Sequence, residues 1–180
     1  MKIRLTICLL GLILTGFAQE NPDYLLWSST KKISLADFGI KKSNAASSAS
    51  FAQFTLDYSV NGFDFLTKNF NKKVKNSMII SASWIDTTAN IDASIKYQQT
   101  LFDLAEIYAR KFRKEIKENR KLIAKGVQFI EGINSRVSTE FSKRRLKYDE
   151  ETKYGTDLTK QQIWELQILK ELNELADFQF

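Results

Sequence analysis

Apolar and polar residues alternate along the first half of the chain with the period of a β-strand. From residue 52 to residue 60, every even-numbered residue is apolar or aromatic and every odd-numbered residue is polar, as expected for a strand with one buried face. Asn61-Gly62 follows this run and favours a tight hairpin turn, because both residues tolerate a positive φ. We therefore predict a hairpin whose second strand returns over residues 63–70.

Three further segments have the composition of strands, and one has that of a loop. Residues 77–84 alternate again and place four apolar side chains on one face. These are Met78, Ile80, Ala82 and Trp84. Residues 24–27 and 32–35 are short segments with large apolar residues, and we also predict them as strands. Residues 43–50 are all Ser, Ala or Asn, which predicts a loop.

The second half of the chain follows the period of the α-helix. Between about residues 92 and 125, large apolar residues recur three or four positions apart, which predicts one long amphipathic helix. Glu106 and Arg110 stand four residues apart, and we expect them to pair on its solvent-facing side. Gly126 is expected to kink or end this helix, after which a second apolar stripe continues to about residue 148.

A polar segment and a last helix complete the predicted elements. Residues 149–158 are rich in Asp, Glu and Thr, and we predict a connecting loop there. Thr159 and Gln162 have the spacing of a capping box, which predicts the start of a final helix. The order of elements predicts an α+β fold, in which a small antiparallel sheet from the N-terminal half is followed by a long helix and further helices packed on it.

Residues 1–18 have the pattern of a signal peptide. Two basic residues come first, an apolar run extends from residue 5 to residue 14, and small residues stand at the positions that precede cleavage after Ala18. We therefore predict export to the bacterial periplasm or medium, with residues 19–180 forming a single domain. The alternative is an N-terminal membrane anchor, but the apolar run is short for a transmembrane helix.

Cleavage would change both the cysteine content and the charge. It would remove Cys8, the only cysteine, so the mature chain is expected to lack thiol nucleophiles and thiolate ligands. It would leave 25 of the 27 basic residues against 21 acidic ones, a net charge of +4. The basic residues concentrate at residues 110–125 and 143–147. We interpret these runs as solvated helix faces and expect no nucleic-acid partner, because acids are interspersed and export removes most nucleic acid.

The chain contains no histidine, yet residues 97–111 carry a recognisable motif. They read YQQTLFDLAEIYARK. This segment resembles the zinc-binding helix of a bacterial family of predicted secreted zinc-dependent proteases, which reads approximately His-Glu-Gln-x-His-Phe-Asp-Ile-Ala-Glu-x-Tyr-Ala-Arg-Lys. Three other short segments resemble the same family, and they follow in the family's order. They are residues 25–38, Ser83-Trp84 and residues 148–155.

The resemblance implies a zinc-protease-like domain whose metal site is missing. Tyr97 and Leu101 occupy the positions of the two zinc-binding histidines in the helix, and Tyr154 occupies that of a further histidine. Gln98 replaces the catalytic glutamate, and a neutral amide cannot accept a proton from water. We therefore expect no catalytic residue, no metal and no other cofactor at these positions, and we expect packed side chains to fill the former site.

Two acidic residues of the family motif are retained. Asp103 and Glu106 stand at the matching positions, and we expect them to have a structural role. The alternative is a calcium site that also uses Asp149 and Glu151, but no calcium-loop spacing is present. Other catalytic motifs are weak or absent. A Ser-x-x-Lys spacing begins at Ser28, but this spacing arises often by chance. The sequence has no serine-nucleophile elbow and no phosphate-binding glycine loop.

These observations predict an exported, non-catalytic protein on a zinc-protease-like scaffold. Such a pseudo-protease would act by binding a protein or peptide partner. Two alternatives stay open at this point. One is a hydrolase with a zinc-independent mechanism, and the other is a basic, envelope-associated protein that binds anionic surfaces through its basic runs.

Overall fold

The structure, a computed structural model, describes residues 22–45, 48–59, 66–123 and 128–180. The strands are β1 (Tyr24–Leu26), β2 (Ile40–Lys42), β3 (Ser50–Tyr58) and β4 (Val74–Asp86). The helices are α1 (Ile91–Glu118), α2 (Arg120–Ile123), α3 (Gln128–Thr152) and α4 (Leu158–Glu174). The predicted signal peptide, the Asn61-Gly62 turn and Gly126 lie outside the described residues.

The long strand β4 is the centre of a four-stranded sheet. β3 runs antiparallel along one edge of β4, with Phe54 opposite Met78. β1 and β2 share the other edge, where β1 is antiparallel and β2 is parallel to β4. The predicted α+β fold, with its sheet in the N-terminal half, is confirmed. The pairing of β2 makes this sheet mixed rather than antiparallel.

Two of the predicted strand positions are wrong. Residues 32–34 form no regular structure and lead into the 3-10 helix Leu35–Asp37, so the strand in this region is β2 instead. The return strand of the hairpin begins later than predicted. Residues 66–73 form turns and a 3-10 helix, and β4 starts at Val74. The other predicted strands correspond to β1, β3 and β4.

An irregularity in β4 interrupts its pairing with β3. Phe51 pairs with Trp84, but Gln53 pairs with Ile79, so β4 carries extra residues between the two pairs. The Ser83 hydroxyl stabilises this bulge. It accepts a hydrogen bond from the Gln53 N–H (3.1 Å) and donates one to the Ile79 carbonyl (2.6 Å).

The buried face predicted for residues 77–84 is wrong beyond this bulge. Met78 is fully buried before the bulge, whereas Ser83 and Ile85 are fully buried after it and Ala82 is exposed. The extra residues reverse the side of the strand that faces the core. Simple alternation cannot reveal such a reversal, because it assumes an uninterrupted pleat.

The helix α1 is the central layer of the molecule. Asn90 caps its N-terminus by accepting a hydrogen bond from the Ala93 N–H (3.1 Å). One side of α1 packs on β3 and β4, where the rings of Phe54 and Phe102 stack with their centroids 5.0 Å apart. Another side packs on α3 and α4, so buried residues surround the middle of α1. The long helix predicted from about residue 92 is confirmed, and it ends at Glu118.

The helices α3 and α4 form the outer layer. α3 continues to Thr152, so the loop predicted over residues 149–158 is confined to residues 153–157. α4 begins after Asp157, whose side chain accepts a hydrogen bond from the Lys160 N–H (3.0 Å). The final helix is therefore confirmed, but its predicted cap at Thr159 is wrong. Among the described residues, no helix is long and apolar enough to span a membrane.

Candidate functional site

Tyr97 and Leu101, the positions that the resemblance assigns to zinc-binding histidines, are both buried. Leu101 is fully buried and Tyr97 is 5% exposed. The Tyr97 ring stacks on the ring of Tyr148 in α3, with the centroids 5.2 Å apart. The Tyr148 hydroxyl oxygen also lies 3.2 Å from the Tyr97 carbonyl oxygen. The helix face that was expected to be filled by packed side chains is therefore closed in the structure.

The Tyr97 hydroxyl is committed to an internal hydrogen bond. It donates to the carboxylate of Asp149. Burial raises the pKa of Tyr97 well above its usual range, and the hydrogen bond to Asp149 raises it further. Burial also raises the pKa of Asp149, while the hydrogen bond from Tyr97 and the charge of Arg145 oppose that shift. The tyrosine therefore stays protonated at neutral pH and acts as a hydrogen-bond donor.

Gly155 packs on Tyr97 from the turn between α3 and α4. A Cβ at this position would lie 2.6 Å from the Tyr97 Cβ, and its φ of +83° is one that other residues rarely adopt. The neighbouring Tyr154 has a φ of +55° and is 63% exposed. The structure thus brings Gly155 to Tyr97, but it exposes the Tyr154 side chain and does not bury it with Tyr97 and Leu101.

Gln98, at the position of the catalytic glutamate, is buried in a different contact. Its side-chain amide nitrogen donates a hydrogen bond to the Ser50 hydroxyl at the start of β3 (3.0 Å). Its amide oxygen has no hydrogen-bond partner among the described residues. Since the side chain is 1% exposed, it is held between α1 and the sheet, where a neutral amide can position structure but cannot act as a base.

The residues at these positions do not fit a zinc ion. Zinc in proteins is bound by imidazole nitrogen, thiolate sulfur or carboxylate oxygen. Leu101 offers no donor atom, Tyr97 is protonated and bonded to Asp149, and Tyr154 is exposed. Across the described parts of the chain, no group of three or more His, Cys, Asp or Glu side chains is placed to hold a metal ion.

Asp103 joins α1 to the segment that follows β1. Its carboxylate accepts hydrogen bonds from the Trp27 indole N–H (2.7 Å) and the Gln99 side-chain amide (2.8 Å). It also pairs with Lys32 at 3.5 Å. Burial raises the pKa of Asp103, while the charge of Lys32 and these hydrogen bonds oppose the shift. These contacts fit the structural role expected for Asp103.

Glu106 forms a buried ion-pair cluster with Arg110 and Arg113. Its Oε1 accepts hydrogen bonds from Arg113 Nη1 (2.7 Å) and Arg110 Nε (3.1 Å), and each of the three side chains is at most 3% exposed. The predicted pairing of Glu106 with Arg110 is confirmed, but the prediction that it faces solvent is wrong. Glu106 and Arg113 lie four and eleven residues after Phe102, so helical spacing places them on the sheet-facing side with Phe102.

The two buried arginines hold the C-terminal end of the chain. Arg113 Nη1 donates a hydrogen bond to the Phe178 carbonyl (3.1 Å), and Arg110 Nη1 donates one to the Leu172 carbonyl (2.7 Å). Such bonds are needed because a buried charge is stable only when its hydrogen bonds are satisfied. The interpretation of residues 110–125 as a solvated face is therefore wrong for the first two arginines of that run.

Two of the segments that carry the family resemblance contact α1. Trp27, directly after β1, donates a hydrogen bond to Asp103 in the middle of α1. Asp149, near the C-terminal end of α3, accepts one from Tyr97 near the start of α1. Ser83, from the remaining segment, stabilises the bulge in β4. Trp27 and Asp149, which are far from the motif helix in the sequence, are thus close to it in space.

A groove of about 410 Å³ lies between α1, α4 and the segment after β1, and we name it the α1–α4 groove. Its apolar lining is Ile33, Ile95 and Leu169. The ion pair of Lys96 with Glu165 links its two helices at 3.1 Å. The groove combines apolar lining with charged groups, which is the character of many peptide-binding clefts.

Comparison of the chain with protein-family models, with curated proteins and with solved structures found no match. The kinship with the zinc-protease family therefore stays a prediction from the order of the motifs.

Proposed function

We propose that this chain is an exported, non-catalytic protein on a zinc-protease-like scaffold, and that it binds a protein or peptide. The observation that carries the proposal is the burial of three positions in α1. They match the two zinc-binding histidines and the catalytic glutamate of the family's helix. Tyr97, Gln98 and Leu101 are buried and make internal contacts. A site that is filled in this way has no room for a substrate and a metal ion, although its surroundings can still bind a partner.

The kinship itself is supported by two independent features. Four short motifs follow in the family's order along the sequence. Two residues from the flanking motifs, Trp27 and Asp149, hydrogen-bond to the motif helix at Asp103 and Tyr97. A chance resemblance of short segments would not require those segments to be neighbours in space.

We assign the binding role to the α1–α4 groove. Ile95 and Leu169 give it apolar surface, and Asp92 adds a charge beside the Lys96–Glu165 pair. The face of α1 that holds Tyr97 is closed, so a partner that approaches this helix meets the neighbouring face that carries Ile95. The groove lies between two helices and the chain after β1, and it is open to solvent.

Metal content and hydrolysis test the non-catalytic part of the proposal. The purified protein is equilibrated with zinc, dialysed and analysed by mass spectrometry. We expect only traces of zinc and no peptide cleavage that follows the protein through purification. About one tightly held zinc per chain, or steady cleavage that resists chelators, would support a hydrolase instead.

Site-specific photocrosslinking tests the binding part. A photoreactive residue at Ile95, in the groove, should capture a discrete partner in the producing cell, whereas the same residue at Leu66, which is 67% exposed and does not line the groove, should not. The captured partner is then purified, and its saturable binding should be lost in Ile95→Lys. Equal crosslinking at both positions, or binding that Ile95→Lys leaves unchanged, would argue against the groove.

Binding to anionic surfaces is the less favoured alternative. Arg110 and Arg113 are buried and paired with Glu106, so they contribute little to a surface potential. Arg144 is likewise paired with Glu171. A binding that depends on the remaining surface charges would fall steeply as salt is added, and this dependence separates it from binding in the α1–α4 groove.

A further inference from the structure

The outer face of α4 carries a stripe of exposed apolar side chains. Ile163, Leu166 and Leu169 expose 53%, 64% and 55% of their surfaces, and they follow one another at a spacing of three residues. The opposite face of α4 is buried against the rest of the protein through Trp164 and Ile168. A surface helix normally has one apolar stripe, so the second stripe on α4 is unusual.

The stripe stands on a firmly held helix. On the inner face, the Gln161 side chain accepts a hydrogen bond from the Tyr148 hydroxyl (2.6 Å) and donates one to the Thr100 hydroxyl (2.8 Å). The Trp164 indole N–H donates to Glu151 (2.8 Å). The exposed apolar side chains are therefore presented by an ordered backbone, which reduces the entropy lost when a partner binds.

Over the seven central positions of the outer face, the polarity is symmetric about Leu166, whereas exposed Leu158 and Glu174, eight residues on either side, do not match. Positions at equal distances before and after Leu166 match in polarity at three, four and seven residues. The matched pairs are Ile163 with Leu169, Gln162 with Lys170, and Thr159 with Asn173. Lys170 is the only charged residue among these seven positions. A two-fold interface requires such self-complementarity, because the same surface contributes to both sides.

We propose that the outer face of α4 is the interface of a homodimer, in which the α4 helices of two copies pack antiparallel with Leu166 on the two-fold axis. In this arrangement Leu166 meets its own copy and Ile163 packs on the partner's Leu169. Lys170 faces an amide, Gln162, so no like charges are opposed. A parallel arrangement would instead place Lys170 beside its own copy, which is unfavourable.

The size of the stripe indicates a weakly associating dimer. Three apolar side chains from each copy form a smaller core than the interfaces of permanent dimers have. We therefore expect monomer and dimer to interconvert, and we expect the dimer to dominate only at high protein concentration. This inference does not rest on the proposed role of the α1–α4 groove, but Leu169 belongs to both surfaces, so dimerisation and partner binding in the groove should compete.

Sedimentation equilibrium tests the dimer. For the purified protein, the weight-average mass should rise from that of one chain toward that of two as concentration increases. Leu166→Glu places two carboxylates at the axis and should keep the mass at one chain. Leu146→Glu is the matched control, because Leu146 lies on α3 with a similar exposure of 62%, and it should dimerise like the wild type. Circular dichroism checks that both variants are folded.

Two results would overturn the proposal. One is a wild-type protein that stays monomeric at every concentration. This result would overturn the dimer even if the monomer sedimented with lipid vesicles and so used the apolar stripe to bind lipid. The other is a dimer that Leu166→Glu leaves intact, which would place the interface elsewhere.

Cysteine crosslinking tests the antiparallel arrangement. In a Cys8→Ser background, Leu166→Cys should form a disulfide-linked dimer on mild oxidation, because the axis brings the two sulfur atoms together. Ile163→Cys should not crosslink to itself, but it should crosslink to Leu169→Cys when the two variants are mixed. Self-crosslinking of Ile163→Cys as strong as that of Leu166→Cys would show a parallel pair and contradict the proposed geometry.

Discussion

Gly155 lies so close to Tyr97 that a Cβ added to the glycine would come within 2.6 Å of the tyrosine Cβ. The contact fixes the turn after α3 against α1, and it closes the helix face where the resemblance would place a metal site. Because Tyr97 is also stacked on Tyr148 and bonded to Asp149, this glycine is part of a packed cluster.

Gly155→Ala should lower the free energy of unfolding by about 2 kcal/mol or more, since alanine is strained at this φ and its methyl group meets Tyr97. Gly132→Ala is the control. No atom lies within 4 Å of a Cβ at Gly132, so this change within α3 should raise stability by about 0.5–1 kcal/mol. Urea denaturation measures both variants. Equal effects of the same sign would contradict the packing described for Gly155.

Leu101→Ala should lower the free energy of unfolding by about 2–5 kcal/mol, because Leu101 is fully buried and its truncation leaves a cavity in the core. Leu146→Ala, at a position that is 62% exposed, should change it by less than about 0.5 kcal/mol. Both values come from chemical denaturation. If the two losses were alike, the helix face at Leu101 would be open, and it would become a candidate binding surface in place of the α1–α4 groove.

Glu106→Gln should lower the free energy of unfolding by about 3 kcal/mol or more, because it removes the carboxylate that pairs with buried Arg110 and Arg113 among the described residues. The matched control is Glu118→Gln near the end of the same helix. Glu118 is 58% exposed and lies 3.9 Å from Lys114, so its loss should be below about 1 kcal/mol. A negligible effect at Glu106 would mean that the arginines find other partners.

Asp86 should make folding sensitive to acid. Its carboxylate accepts hydrogen bonds from the Thr88 hydroxyl (2.6 Å), the Ala45 N–H (2.6 Å) and the Thr88 N–H (2.8 Å), which lower its pKa to about 2. Because the folded pKa lies below the ordinary value of 3.8, the stabilisation is complete above that value and is lost as the pH falls toward about 2.

Denaturation at a series of pH values tests this expectation. Asp86→Asn should lose less stability than the wild type over the same acidic interval, since it has no proton to take up. Asp57→Asn, at an exposed position of β3, should keep the wild-type dependence. Parallel curves for the wild type and Asp86→Asn would contradict the assignment.

The spacing of apolar residues predicted the element types well. Alternation from residue 52 onward predicted β3, and helical spacing predicted α1 and the final helix, because a regular backbone imposes its period on the buried side chains. The spacing failed at short segments such as residues 32–35. Three or four residues carry too little periodicity to separate a strand from an extended link.

The candidate site was predictable only in part. The sequence alone determined that histidine is absent and that Tyr97, Gln98 and Leu101 stand where the resembling family has its zinc ligands and base. It did not reveal that Tyr97 bonds to Asp149, because that partner comes from a helix more than fifty residues away.

What the sequence determined by itself is the local order: which segments form strands or helices, and which chemical groups the chain contains. The tertiary structure alone decided that Glu106 and Arg113 are internal, that the bulge turns Ser83 inward, and that Tyr154 is exposed. The physical reason is that local periodicity depends on neighbours along the chain. Burial and hydrogen bonding depend on partners that only the packed fold brings together.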